Sequence, residues 1–328
     1  MKQVSQNKLN MKAIVYTQYG SPTVLQLKEV SMPTPKDHEV RIRIRATAVN
    51  SGDCRLRKAD PFGVRFFFGL MKPNKNILGS VFSGEIESVG KDVTLYKAGD
   101  EVFGSTGMSF GAYGEYICLP EGGIFSVKPT GLSHAEAAAI PFGGTTALHF
   151  LRKANIKKGQ KVLIIGASGA VGTSAVQLAA YFGAEVTAVC GPSGVDMVKS
   201  IGASKVIDYT REDFTKSTET YDVIYDTVGK ESYTRCLSRL GGTGILILGA
   251  SGMAGMINGL STTMTSKRKV ITGVTSQKAA DVSFLKAVIE LGKLKPVIDR
   301  MYSLSQMVAA HTYVDGGHKK GNVAIVME

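Results

Sequence analysis

The chain contains no tryptophan, and only four cysteines and ten prolines among its 328 residues. Cys54, Cys118, Cys190 and Cys236 form no CxxC pair, which excludes a disulfide framework and a four-cysteine zinc lobe. His38, His134, His149, His311 and His318 show neither HxxxH nor HExxH spacing, so the sequence points to isolated buried thiols and surface imidazoles. Long apolar runs are missing too. Stretches such as Phe66-Phe67-Phe68-Gly69-Leu70-Met71 fall far short of the roughly 18 residues that a spanning helix needs. Met1 to Asn10 is polar, without the apolar centre of a signal peptide or anchor, and a cytoplasmic protein with no membrane span is expected.

Acidic residues are also in deficit: 39 Lys and Arg face 27 Asp and Glu, a formal charge of +12. Excess cations suit phosphate, but here they are spread along the whole chain. The one tight run, Lys267-Arg268-Lys269, leads straight into the strand-like Val270-Ile271-Thr272-Gly273-Val274. No recognition-helix, finger or ribonucleoprotein signature accompanies it, so no nucleic-acid partner is expected. A basic surface that gathers an anionic cofactor or substrate accounts for the charge as well.

What is abundant is glycine, 38 residues placed at the ends of apolar runs. From Met11 to about Thr130 the pattern is one of short β segments punctuated by Pro and Gly: Lys12–Tyr16, Val40–Val49, Gly84–Val89, Glu101–Phe103 and Gly114–Leu119. Ser133 with Glu136 three residues later then reads as a capping box. After Gln160 apolar strands alternate with helical stretches. The strands are Lys161–Ile165, Glu185–Cys190, Ser204–Asp208, Asp222–Asp226, Gly244–Leu248 and Lys269–Val274. The helices include Val171–Phe182, Val195–Ile201 and Glu231–Leu240. This alternation predicts an α/β fold with a doubly wound parallel sheet. From about Pro296 short segments return, and Asn322–Met327 is a β run long enough to rejoin the first part.

The stretch Lys161-Val162-Leu163-Ile164-Ile165-Gly166-Ala167-Ser168-Gly169-Ala170-Val171-Gly172 joins a buried strand to a helix through a glycine turn. Read from Ala167 it is A-x-G-x-x-G, a variant of the dinucleotide fingerprint. Gly169 would let backbone approach a pyrophosphate, Gly172 would let the helix pack on the strand, and the amides of Ser168, Gly169, Ala170 and Val171 would meet the negative charge. An ordinary strand-to-helix turn is the plainer alternative. At the end of the next strand, where NAD-binding proteins place a carboxylate on the ribose, the chain has Cys190-Gly191-Pro192-Ser193. Nothing there repels a 2′-phosphate, and Gly191, Ser193, Lys199 and Tyr209 are candidates to receive one, so NADP(H) is favoured.

Further stretches carry a family resemblance: Val49-Asn50-Ser51-Gly52-Asp53, Leu78-Gly79-Ser80-Val81-Phe82-Ser83-Gly84, Lys97-Ala98-Gly99-Asp100-Glu101-Val102-Phe103-Gly104, Gly144-Thr145-Thr146-Ala147, Lys199-Ser200-Ile201-Gly202-Ala203 and Tyr225-Asp226-Thr227-Val228-Gly229. With the glycine turn they make the chain resemble the zinc-independent quinone oxidoreductase branch of the medium-chain dehydrogenase/reductase superfamily. The resemblance implies a GroES-like substrate domain over residues 1–131 and 296–328, with a Rossmann NADP(H)-binding domain over 132–295 inserted into it. It also implies a nicotinamide in the cleft between the domains, beside Thr146 and the loop Gly249-Ala250-Ser251. Asn50, Asp53 and Arg55 are expected on the substrate side, with a homodimer formed through Lys269–Val274. Asn322 stands on the cofactor side where the family has a lysine.

The zinc-dependent members carry a Cys where this chain has Asn50, and Gly-His-Glu where it has Gly79-Ser80-Val81. Asn, Ser and Val do not supply a zinc ligand set, so no metal is expected. The cofactor then does the reduction and the protein aligns it. A quinone or an α,β-unsaturated carbonyl develops negative charge on oxygen as it accepts hydride, which Asn50 or Arg55 could stabilise. Asn50 and Asp53 as mere turn caps are the alternative. The expected activity is NADPH-dependent reduction of a quinone or activated alkene. Reduction of enones, enals or acyl-CoA thioesters is the competing enzymatic reading, and a non-catalytic NADPH sensor is the reading from another class.

Overall fold

Strands that are apolar along their whole length must be buried on both faces, and the second half of the chain meets that demand with helices on a parallel sheet. The structure, a computed structural model, describes residues 9–229, 231–249, 261–263 and 266–327. Strands β8 (Lys161–Ile165), β9 (Glu185–Cys190), β10 (Lys205–Asp208), β11 (Tyr221–Asp226), β12 (Leu240–Leu248) and β13 (Lys269–Ile271) form a six-stranded sheet in the order β10-β9-β8-β11-β12-β13. Every neighbouring pair in it is parallel. Val162, Leu163, Ile164, Val223 and Ile224 are each 0% exposed. Strand order reverses between β8 and β11, the topological switch point at which such sheets bind ligands.

The first part of the chain obeys the other periodicity. In β3 (Glu39–Val49), Val40, Ile42 and Ile44 are buried while Arg41, Arg43 and Arg45 point outward. Arg41 pairs with Glu87 at 2.6 Å and Arg45 with Glu85 at 3.0 Å across to β4 (Val81–Val89). Strands β5 (Glu101–Ser105), β6 (Tyr116–Pro120), β7 (Phe125–Val127), β14 (Ile298–Ser303) and β15 (Asn322–Val326) complete this sheet. Its order is β14-β15-β3-β4-β5-β7, with β6 also on β3. Strands β1 (Asn10–Val15) and β2 (Gln26–Ser31) form a separate antiparallel pair. The C-terminal run does rejoin the first sheet, since β15 pairs antiparallel with β3.

The chain divides into two compact units: residues 1–141, 278–283 and 298–328, and residues 142–277 and 284–297. The first dividing line falls inside the helix His134–Lys153. That helix starts at the capping box, with Ser133 N donating to Glu136 Oε2 at 2.8 Å and Glu136 N to Ser133 Oγ at 3.3 Å. No helix among the described residues is long and apolar enough to cross a membrane.

One expectation fails here. His311 is not a surface imidazole but 0% exposed. Of the three consecutive phenylalanines, Phe66 and Phe67 are 72% and 83% exposed.

Candidate active site

The glycine turn after β8 is built as its spacing requires. Gly166 has φ of +77°, and a Cβ there would lie 2.1 Å from Val228 Cγ2. Thr227 Oγ1 donates to Ile165 O at 2.9 Å and clamps the turn against the end of β11. A Cβ on Gly172 would come within 2.1 Å of Gly166 O, so only glycine lets the helix Ala170–Tyr181 begin so close to its strand. At Gly169 the situation is opposite. The nearest atom to an added Cβ is Gly166 O at 3.5 Å, and the backbone is extended. Gly169 caps the helix without any side-chain hydrogen bond. The first amides of that helix have no partner within it, and the space beside Gly169 is open. A pyrophosphate fits this cradle.

Of the other cofactor candidates of this unit, Gly191, Ser193, Tyr209 and Gly249 follow the C-terminal ends of its strands, whereas Lys199 lies in the last turn of the helix Val195–Ser200. Gly194 packs on Ser168: a Cβ there would meet Ser168 Cβ at 2.8 Å. Gly191 lies under Tyr209, whose Oη would be 3.1 Å from a Cβ on it. Ser193 and Lys199 are exposed, and Tyr209 is 61% exposed, so all three can meet solute. Gly249 N donates to Asp226 O at 2.9 Å, at the end of β11. Ala250 and Ser251 lie outside the described residues. Gly143 permits close approach to Ala170 O, 2.2 Å from a hypothetical Cβ, and Thr146 follows three residues later on the same helix face. Asn322 belongs to the first unit, where it is 6% exposed in register with Ile298.

Around Asn50 the first unit holds a buried polar network. Asn50 caps the helix Ser51–Lys58, accepting from Asp53 N at 3.0 Å. Its amide donates to Asp53 Oδ2 at 2.7 Å and to Ser80 Oγ at 2.8 Å, which commits both hydrogens. Tyr113 Oη donates to Asp53 Oδ2 at 3.1 Å and lies 3.2 Å from His311 Nε2. Arg57 Nη1 is 2.9 Å from His311 Nδ1. An arginine only donates, so Nδ1 accepts and Nε2 carries the proton toward Tyr113. Arg57 itself is 0% exposed and paired through Nη2 with Asp315 Oδ2 at 2.5 Å. Gly79, at φ of +92°, makes room for the ring: a Cβ there would lie 2.5 Å from Tyr113 Cδ1.

Burial drives the electrostatics. It pushes the Asp53 carboxyl up to about 7, partly offset by the hydrogen bonds from Tyr113 and Asn50. Asp53 Oδ1 is buried without a hydrogen-bond partner, while Oδ2 accepts two. Burial and the Arg57 charge push His311 down to about 3, so it is neutral.

The substrate-side candidates thus separate. Asn50 and Asp53, at 2% and 1% exposed, are locked into each other, and Asn50 has no free hydrogen for a developing oxyanion. The capping alternative is the one its geometry matches. Arg55 is exposed, with a guanidinium that makes no hydrogen bond or ion pair among the described residues. Ser80, half-buried, is the member of the Asn50 cluster open toward the surface. Sequence reasoning missed Arg57, Tyr113, His311 and Asp315, which linear spacing does not connect. Among the described residues no group of three His, Cys, Asp or Glu is placed to hold a metal.

Comparison with known proteins agrees with both halves. Residues 36–129 match the alcohol dehydrogenase GroES-like domain, and residues 201–325 match the zinc-binding dehydrogenase family. The chain is 34% identical to 2-methylene-furan-3-one reductase of Solanum lycopersicum, over 96% of this chain and 79% of that one. It is 33% identical to a chloroplastic quinone oxidoreductase of Triphysaria versicolor, over 96% and 98%. It belongs to the quinone oxidoreductase branch of the medium-chain dehydrogenase/reductase superfamily. The solved quinone oxidoreductase of Coxiella burnetii superposes with a TM-score of 0.88 at 29% identity, covering 98% of this chain and 100% of that one. The protein is an oxidoreductase of this family and binds NADP(H). Asn50 and Ser80, neither of them a residue type that zinc sites use, bond to each other.

Proposed function

We propose that this enzyme reduces quinones or α,β-unsaturated carbonyls with NADPH, and that Ser168–Val171 bind the pyrophosphate while Gly191, Ser193, Lys199 and Tyr209 receive the 2′-phosphate end. The observation that carries the reading is the open cradle at Gly169, set at the switch point beside a β9 loop that lacks a carboxylate. NADPH when bound supplies the hydride. The chain's part is alignment: Thr146 and Gly249 border the nicotinamide end, and Ala250 and Ser251, its other two candidates, lie outside the described residues. Asn50 acts as a positioning residue that fixes Asp53 and Ser80. Asp53 keeps its proton below about pH 7, and Arg55 offers uncommitted donors for charge growing on the acceptor oxygen.

The names of two relatives support the acceptor class, one being a furanone reductase and the other a quinone oxidoreductase. A homodimer formed along the outer strand β13, and a cytoplasmic location, complete the proposal. The test is NADPH consumption by the purified protein with a water-soluble quinone and a cyclic enone. Turnover with at least one is expected; NADPH binding without turnover of either would favour a sensor.

A further inference from the structure

A soluble protein that exposes a cluster of large apolar side chains does so for a reason. All of the exposed phenylalanines here stand together: Phe62, Phe66 and Phe67 are 62%, 72% and 83% exposed, and Leu70 and Met71 follow at 55% and 86%. The segment that carries them is folded, not frayed. Tyr19 Oη donates to Gly69 O at 2.8 Å, and Asn74 N donates to Phe68 O at 2.8 Å. Gly69, at φ of +119°, makes a turn in which a Cβ would lie 2.0 Å from Lys72 O. Phe68 turns inward, edge-on to Phe110 with ring centroids 5.8 Å apart, and Pro73 is buried. The anchor residues face in, and the five apolar side chains are held out.

Charge accompanies them. Residues 55–75 contain six Lys and Arg against the single acid Asp60. Arg57 and Lys58 are spent on Asp315, which leaves Arg55, Arg65, Lys72 and Lys75 around the patch. The Arg65 guanidinium lies over the Phe62 ring, 5.3 Å from its centroid. Exposed Phe, Leu and Met, beside cations that make no ion pair among the described residues, match the boundary between lipid headgroups and acyl chains. A second copy of the chain matches poorly: an isologous contact would set these cations against their own duplicates.

We propose that residues 61–75 dock this protein peripherally on an anionic lipid bilayer, the apolar side chains entering the acyl boundary and the cations pairing with lipid phosphates. Such docking would bring the enzyme to lipid-dissolved acceptors, although it stands independently of which acceptor is reduced.

Flotation of the full chain with phosphatidylcholine vesicles, with and without phosphatidylglycerol as about a third of the lipid, tests it. Binding to the anionic vesicles is expected, weakening as salt rises. Phe66→Ser with Phe67→Ser, and separately Lys72→Glu with Lys75→Glu, should each lower the bound fraction roughly tenfold or more. Thermal unfolding and NADPH-dependent turnover of a water-soluble quinone should not change. Wild-type protein that stays unbound, or variants that bind as well as wild type, would overturn the proposal. So would a dimer that the phenylalanine variant dissociates while vesicles bind neither form. If turnover is absent in wild type as well, the proposed reaction fails, but flotation still decides the docking.

Discussion

Placing valine at two glycines of one turn separates cofactor binding from folding. At Gly169 the backbone is extended, φ −81° and ψ 175°, which a branched residue adopts freely, and the Cβ meets only Gly166 O at 3.5 Å. Gly169→Val should therefore cost at most about 1 kcal/mol of stability, the loss of a good cap residue. Its side chain would fill the space in front of the helix amides. Losing one charge-assisted hydrogen bond to phosphate costs about 1.5–3 kcal/mol, so NADPH affinity should fall roughly 10- to 150-fold. At Gly172 the Cβ would lie 2.1 Å from Gly166 O and 2.7 Å from Ala167 Cα, both backbone atoms that cannot swing away. Gly172→Val should destabilise by more than the usual overpacking cost of about 1–3 kcal/mol. With no tryptophan in the chain, NADPH fluorescence gives a titration free of that background, and thermal unfolding without cofactor gives the second readout. Unchanged NADPH affinity in a folded Gly169→Val variant would mean that the pyrophosphate does not sit on this helix. A collapsed melting temperature in that variant would mean that the space at Gly169 is not open.

Ser193→Asp should weaken NADPH by roughly 5- to 150-fold while sparing NADH, because a carboxylate repels the 2′-phosphate; equal losses for both cofactors would relocate the adenosine end. Asp53, raised by burial to about 7, contributes stability that is full at low pH and is lost as pH climbs from its unfolded value of 3.8 through 7. His311, lowered from 6.5 to about 3, contributes in the other direction, losing stability as pH falls through that range. The two slopes oppose each other between about pH 4 and 6.5, so relative to wild type Asp53→Asn should gain stability with rising pH by up to about 1.4 kcal/mol per unit, and His311→Gln should lose it; denaturant titrations that run parallel to wild type would refute both. Light scattering should give the mass of a dimer, and a monomer would remove the proposed β13 contact.

Where function depends on local pattern, the sequence was readable. Lys161–Ile165 and Glu185–Cys190 are strands with the expected ends, because a run of buried apolar residues stops where the glycine turn begins. The Ser133–Glu136 box is a purely local signal and starts its helix as expected. Lys269–Val274 shrinks to Lys269–Ile271, since β12 offers partners only at Ile245–Ile247 and Gly273 turns away with φ of +119°. Which phenylalanine of Phe66–Phe68 turns inward was not readable, because hydrophobicity alone does not tell which side of a segment its anchor will occupy. The network around Asp53 was beyond linear reading. His311 reaches Tyr113 from 198 residues away and Arg57 from 254, and no spacing rule spans such separations. Asn50 and Asp53 were identifiable by type, but only the structure shows that they bond to each other before any ligand.

The central claim is hydride transfer from NADPH to a conjugated acceptor by a site without a metal. Its most direct test is a single turnover of chelator-treated enzyme with a cyclic enone and NADPH deuterated at the transferable nicotinamide position, with the product read by mass spectrometry. One deuterium on the β-carbon of the saturated ketone, formed as fast as before chelation, is expected. Product without deuterium, or turnover that disappears on chelation and returns with stoichiometric zinc, would contradict it.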